Sequence, residues 1–156
     1  MAELKPGEKA PDFRLIDQNG RIISLADFAG RKLLLYFYPR AGTEGCTTQA
    51  CSIRDARPDF SALEVDVLGI SPDCPEDQKK FDEKYHLGFP LACDMEHEVA
   101  KAYGAWGERE MFGDKFMGII RSSFLIEENG RVMAAWYDVK PAETVPKAKA
   151  ALAELS

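Results

Sequence analysis

The chain contains no run of 18 apolar residues, so no segment is expected to span a membrane. The start, Met1-Ala2-Glu3-Leu4-Lys5-Pro6, lacks a basic stretch followed by an apolar one, and no export signal is read there. Positive charge is in deficit: 20 Lys and Arg stand against 26 Asp and Glu, a net charge of -6. That balance argues against nucleic acid and anionic membrane as partners. Histidine is scarce. His86 and His97 stand far apart without ligand spacing, so a zinc site is not expected, and both read as surface residues on or near helices. There is no glycine-rich phosphate loop, and no nucleotide, flavin or metal cofactor is implied. Cysteine numbers four, which without a secretory signal does not read as a disulfide scaffold. The cytoplasm is the expected location, with reduced cysteines and any disulfide transient.

What the chain does have is enough length to bury a core. Its 156 residues suit one domain, spanning 1–156. Phe13 to Ile16 alternates as a half-buried strand. Gln18-Asn19-Gly20 is a turn signal, and Ile22 to Leu25 is a second short strand. Leu33 to Tyr38 is a continuous apolar run ending at Pro39, which predicts a strand buried on both faces. A helix is predicted from Cys46 to about Ala56, with Pro58 ending it nearby. Val65 to Ile70 is another strand. Pro75 to Lys84 is a helix with Ser71 or Asp73 as cap, and Glu96 to Tyr103 a third helix. Ile119 to Ile126 and Val132 to Tyr137 flank the hairpin signal Glu128-Asn129-Gly130. Pro141 to Leu155 closes the chain as an amphipathic helix. This order predicts an α/β fold, a central mixed sheet with helices on both faces. No apolar interface stripe stands out.

The chemistry concentrates in Tyr38-Pro39-Arg40-Ala41-Gly42-Thr43-Glu44-Gly45-Cys46-Thr47-Thr48-Gln49-Ala50-Cys51. A buried strand ends, a short loop follows and a helix opens. With Thr43 as N-cap, Cys46 falls in the first turn, where free amides and the helix dipole favour the thiolate. Placement alone leaves two readings open: a reactive thiol, or a small buried hydrophobe. Cys51 lies five residues on, so the pair is not a Cys-x-x-Cys redox motif.

Pro39-x-x-x-Thr43-x-x-Cys46 resembles the peroxiredoxin active-site motif. The longer string is similar to the bacterioferritin comigratory protein or peroxiredoxin Q branch. So are Ala10-Pro11-Asp12-Phe13, Gly69-Ile70-Ser71-Pro72-Asp73 and Gly118-Ile119-Ile120-Arg121-Ser122-Ser123-Phe124, in order along nearly the whole chain. The resemblance implies a thioredoxin-like fold with an N-terminal hairpin extension. It implies that Cys46 is the peroxidatic cysteine and Cys51 the resolving one. By the same resemblance Thr43 hydrogen-bonds the sulfur and the peroxide, Arg121 holds the thiolate and the leaving oxygen, and Pro39 shields the site.

The implied cycle reduces hydrogen peroxide and organic hydroperoxides through a sulfenic acid and a Cys46–Cys51 disulfide. Thioredoxin or a related dithiol recycles it, and the branch tends to monomers. Two departures stand out. Gln49 replaces the usual Glu that orients the arginine, and Glu44 replaces the usual proline. Cys93 is expected to be a buried filler, while Cys74, at a helix start, could be reactive. Two rival functions use the same residues: a general thiol–disulfide oxidoreductase, and a redox-sensing or chaperone module without catalysis.

Overall fold

The apolar run after residue 31 forms β3 (Lys32–Phe37), the centre of the molecule. Its side chains alternate between two cores. Leu33, Leu35 and Phe37 pack on one side, Leu34, Tyr36 and Tyr38 on the other. A strand with apolar residues at every position is stable only when both faces are covered. The computed structural model describes residues 3–154. The readings at Met1 and Ala2, and the end of the last helix at Leu155, lie outside them.

Around β3 the chain adds β1 (Arg14–Asp17), β2 (Ile22–Ser24), β4 (Val65–Ser71), β5 (Leu91–Cys93), β8 (Ser122–Ile126) and β9 (Val132–Trp136). The seven strands run in the order β2-β1-β5-β4-β3-β8-β9. Pairs β3·β4 and β4·β5 are parallel; the rest are antiparallel. The helices are α1 (Glu44–Ala62), α2 (Pro75–Tyr85), α3 (Glu98–Ala102) and α4 (Thr144–Ala153). Residues of α1, α2 and α4 fill one core, and those of α3 join the N-terminal segment in the other. The mixed sheet with helices on both faces, and the β1–β2 hairpin ahead of it, are as expected.

Several boundaries differ from expectation. Pro58 does not end α1, which runs on to Ala62. Pro58 is exposed, so the carbonyl it leaves unpaired at Arg54 can face water. Ile53, Ala56 and Phe60 stay buried against the sheet and carry the helix past it. The cap of α2 is Cys74, with Pro75 in the first turn, rather than Ser71 or Asp73. Ser71 is still in β4, and the Asp73 carboxylate is engaged elsewhere. Helix α3 is shorter than predicted because Asp94 accepts from the amides of Val99 and Ala100 and so fixes its start.

A further hairpin, β6 (Trp106–Met111) and β7 (Asp114–Ile119), was not legible. Its turn is Phe112-Gly113, both at positive φ, rather than an Asn-Gly signal. It leaves Met111, Phe112, Phe116 and Met117 exposed. The predicted strand Ile119 to Ile126 is in fact broken at Ile120 and Arg121. The Ile120 amide donates to the Ala105 carbonyl, and Ser122 Oγ to the Ile120 carbonyl. That break puts Arg121 at the head of β8.

Candidate active site

Helix α1 begins where β3 ends, at the C-terminal edge of the parallel strands. Strand β8 runs antiparallel to β3, with Phe37 opposite Ser122. The first residues of β8 are therefore beside the last of β3, and Arg121 arrives next to the start of α1. Its Nη2 donates to Cys46 Sγ at 3.5 Å. Cys46 is in the first turn and only 1% exposed. The sulfur thus meets a guanidinium and the positive end of a 19-residue helix, two influences that stabilise a thiolate.

Gly45 makes room for this contact. A Cβ there would lie 3.2 Å from Arg121 Nη2 and 3.3 Å from Pro141 Cγ. The guanidinium crosses the helix where a side chain would otherwise stand.

Gln49, fully buried one turn along α1, is hydrogen-bonded to the arginine. Arg121 Nη1 donates to Gln49 Oε1 at 2.6 Å. The amide nitrogen of Gln49 then donates to Thr144 Oγ1 at 2.9 Å, and the hydroxyls of Thr144 and Ser123 share a hydrogen bond of 2.9 Å. A carboxylate in place of Gln49 would leave Thr144 to supply the proton. The amide instead donates and accepts at once. Neither Thr144 nor Ser123 was singled out from sequence. Ser123 lies in the stretch that carries Arg121, but nothing local signals that Thr144, at the head of α4, turns inward.

Thr43 occupies the N-cap position with extended backbone, yet its side chain caps no amide. Its hydroxyl donates to the Arg40 carbonyl at 2.9 Å. Pro39 is exposed at the end of β3. Cys51 is half-buried farther along α1, and all four cysteines are free thiols. Beneath the helix, Tyr36 is 1% exposed and its hydroxyl has no hydrogen-bond partner. Burial pushes its phenol well above the ordinary value, and negative charge on Cys46 adds to that. Cys93 is buried, and burial pushes its thiol up to about 12, which favours the protonated thiol at neutral pH. Cys74, half-buried, occupies the N-cap position of α2, and its side chain caps no amide.

Residues 6–135 match the model of the AhpC/TSA family. The chain belongs to that family. It is 46% identical to the peroxiredoxin Bcp of Escherichia coli over 140 residues, 90% of each chain. It is 42% identical to the peroxiredoxin Bcp of Bacillus subtilis over 150 residues, 96% of each. Among solved structures, the bacterioferritin comigratory protein of Xanthomonas campestris superposes with a TM-score of 0.88 at 31% identity, covering 96% of this chain and 98% of that one. The fold is that of the thioredoxin-like peroxiredoxins, and the chain is a thiol-dependent peroxidase. No helix among the described residues is long and apolar enough to cross a membrane.

Proposed function

We propose that Cys46 is the sulfur that attacks the peroxide. Its thiolate displaces one oxygen of ROOH, forming Cys46–SOH while the other oxygen leaves and takes a proton as ROH. The observation that carries this reading is the Arg121 guanidinium 3.5 Å from Sγ at the start of α1. A fixed cation there favours the thiolate and faces the charge that builds on the leaving oxygen. Thr43 and Pro39 border the loop before Cys46, and Gln49 keeps Arg121 in place.

Cys51 then condenses with the sulfenic acid, releasing water and leaving a Cys46–Cys51 disulfide. An external dithiol, thioredoxin or a relative, reduces that disulfide by exchange and is itself oxidised. Hydrogen peroxide and organic hydroperoxides are the substrates. An alkyl peroxide reduction activity is named for the Xanthomonas campestris relative. We further read residues 1–156 as one domain that acts as a monomer in the cytoplasm, without nucleic acid or membrane as partner.

Stopped-flow mixing with peroxide tests the assignment, following the fluorescence of Trp106 and Trp136. Wild type should show a fast change that Cys46→Ser abolishes. A fast phase that survives in Cys46→Ser would move the attack to another sulfur.

A further inference from the structure

The run Gly69-Ile70-Ser71-Pro72-Asp73 ends beside the loop that leads into Cys46. We propose that Asp73 is a positioning residue for the peroxidase reaction: its carboxylate holds the backbone of Ala41 and thereby sets the first turn of α1. The Ala41 amide donates to Asp73 Oδ2 at 2.7 Å. Among the described residues, this is the one hydrogen bond that ties residues 39–42 to a distant part of the chain.

The loop has little else to hold it. The Thr43 hydroxyl is spent within the loop, on Arg40, and caps no amide of α1. Gly42, at φ +84, allows the backbone to swivel just before the helix. Asp73, by contrast, is anchored. Ser71 Oγ donates to the same Oδ2 at 2.7 Å and accepts from Gln78 Nε2 at 2.8 Å. Gln78 Nε2 also donates to the Ala92 carbonyl at 3.0 Å, and Gln78 Oε1 accepts from the Tyr38 hydroxyl. Ser71, Gln78 and Tyr38 are 1% exposed or less. A buried network with every member satisfied has one arrangement, and here it is pinned at Tyr38 just past β3, at β4 and at β5. The carboxylate is its outer end, and a charge-assisted bond carries the position of the sheet to Ala41.

Peroxide cleavage needs in-line approach, and a displacement of about 1 Å can cost on the order of 100-fold in rate. Without Asp73 the loop is held only at its two ends. The first turn of α1 then loses its fixed aim, and the thiolate loses part of the amide field that stabilises it. Asp73 acts through Ala41 and touches no peroxide.

The proposal rests on Cys46 as the attacking sulfur, which Cys46→Ser tests separately. In stopped flow, Asp73→Ala should lower the rate constant of Cys46 oxidation by roughly tenfold or more. Asp73→Asn should recover most of the rate, because an amide oxygen still accepts from Ala41. That rescue by the conservative variant is the readout that marks a positioning role. A wild-type rate in Asp73→Ala overturns the proposal, as does an Asp73→Asn variant as slow as Asp73→Ala. Should Asp73→Ala not fold, Asp73→Glu carries the test. Its extra methylene displaces the carboxylate, so the same loss is expected, and a wild-type rate again overturns the role.

Discussion

Arg121 reaches the Cys46 sulfur at 3.5 Å from a position 75 residues farther along the chain. The contact follows from the register of β3 against β8, which sets Ser122 opposite Phe37. It also depends on Gly45, whose missing side chain leaves the guanidinium its path.

Arg121→Met should therefore slow peroxide attack. A hydrogen bond to a charged group is worth about 1.5–3 kcal/mol, which corresponds to roughly 10- to 100-fold in rate. Stopped-flow rates of wild type and variant check this. An unchanged rate would remove Arg121 from the chemistry.

Gln49→Leu keeps bulk in the core but removes both ends of the bridge between Arg121 and Thr144. Leaving buried partners unpaired costs about 1–3 kcal/mol, so urea unfolding should show a loss of that order. The rate should also fall, because Nη1 no longer holds the guanidinium to Oε1. Gln49→Glu should keep Arg121 paired and retain more activity than Gln49→Leu. Equal activity in the two would mean that Gln49 does not orient the arginine.

Helix α1 is continuous through Cys46 and Cys51. Five residues of helix set their Cα atoms about 8.7 Å apart, beyond the ~7 Å that a disulfide spans. Forming the Cys46–Cys51 disulfide must then unwind the first turns of α1. Amide exchange in residues 42–55 should be faster in the oxidised protein, with the central sheet unchanged. In Cys51→Ser, one equivalent of peroxide should stop at a sulfenic acid that dimedone traps. An intramolecular disulfide in that variant would pass the resolving role to Cys74 or Cys93.

The buried Cys93 thiol makes a separate contribution at high pH. Its folded-state value, about 12, lies above the ordinary 9.0 because burial disfavours the thiolate. Below about pH 9 neither state ionises, and the contribution is whole. As pH rises from about 9 to about 12, the unfolded chain loses the proton first and stability falls. Thermal unfolding of wild type should weaken over that window more steeply than that of Cys93→Ala. Parallel curves would show that Cys93 ionises freely in the folded protein.

Much of the fold was legible because its signals are local. The all-apolar β3 run, the Pro75 helix start and the Asn129-Gly130 turn each follow from a few neighbouring residues. Pro58 misled because a breaker's effect depends on whether its unpaired carbonyl faces water, and because Phe60, two residues on, is buried against the sheet and carries the helix past it. The β6–β7 hairpin escaped because it turns on Phe112-Gly113, and a phenylalanine at positive φ carries no turn signal.

The site divides in the same way. The sequence by itself determined that Cys46 lies in the first turn of a helix that follows a buried strand and a short loop, since caps, prolines and apolar runs act over a few residues. Its motifs also pointed to Arg121, Gln49 and Cys51 through resemblance. Only the tertiary structure decided which groups meet the sulfur and what holds them. Arg121 on Cys46, Gln49 between Arg121 and Thr144, and Asp73 on Ala41 all depend on strand register and on the packing of α1, α2 and α4 over the sheet. A hydrogen bond needs its partners within about 3 Å and aligned. Between residues 32 to 95 positions apart, only the folded sheet imposes that spacing.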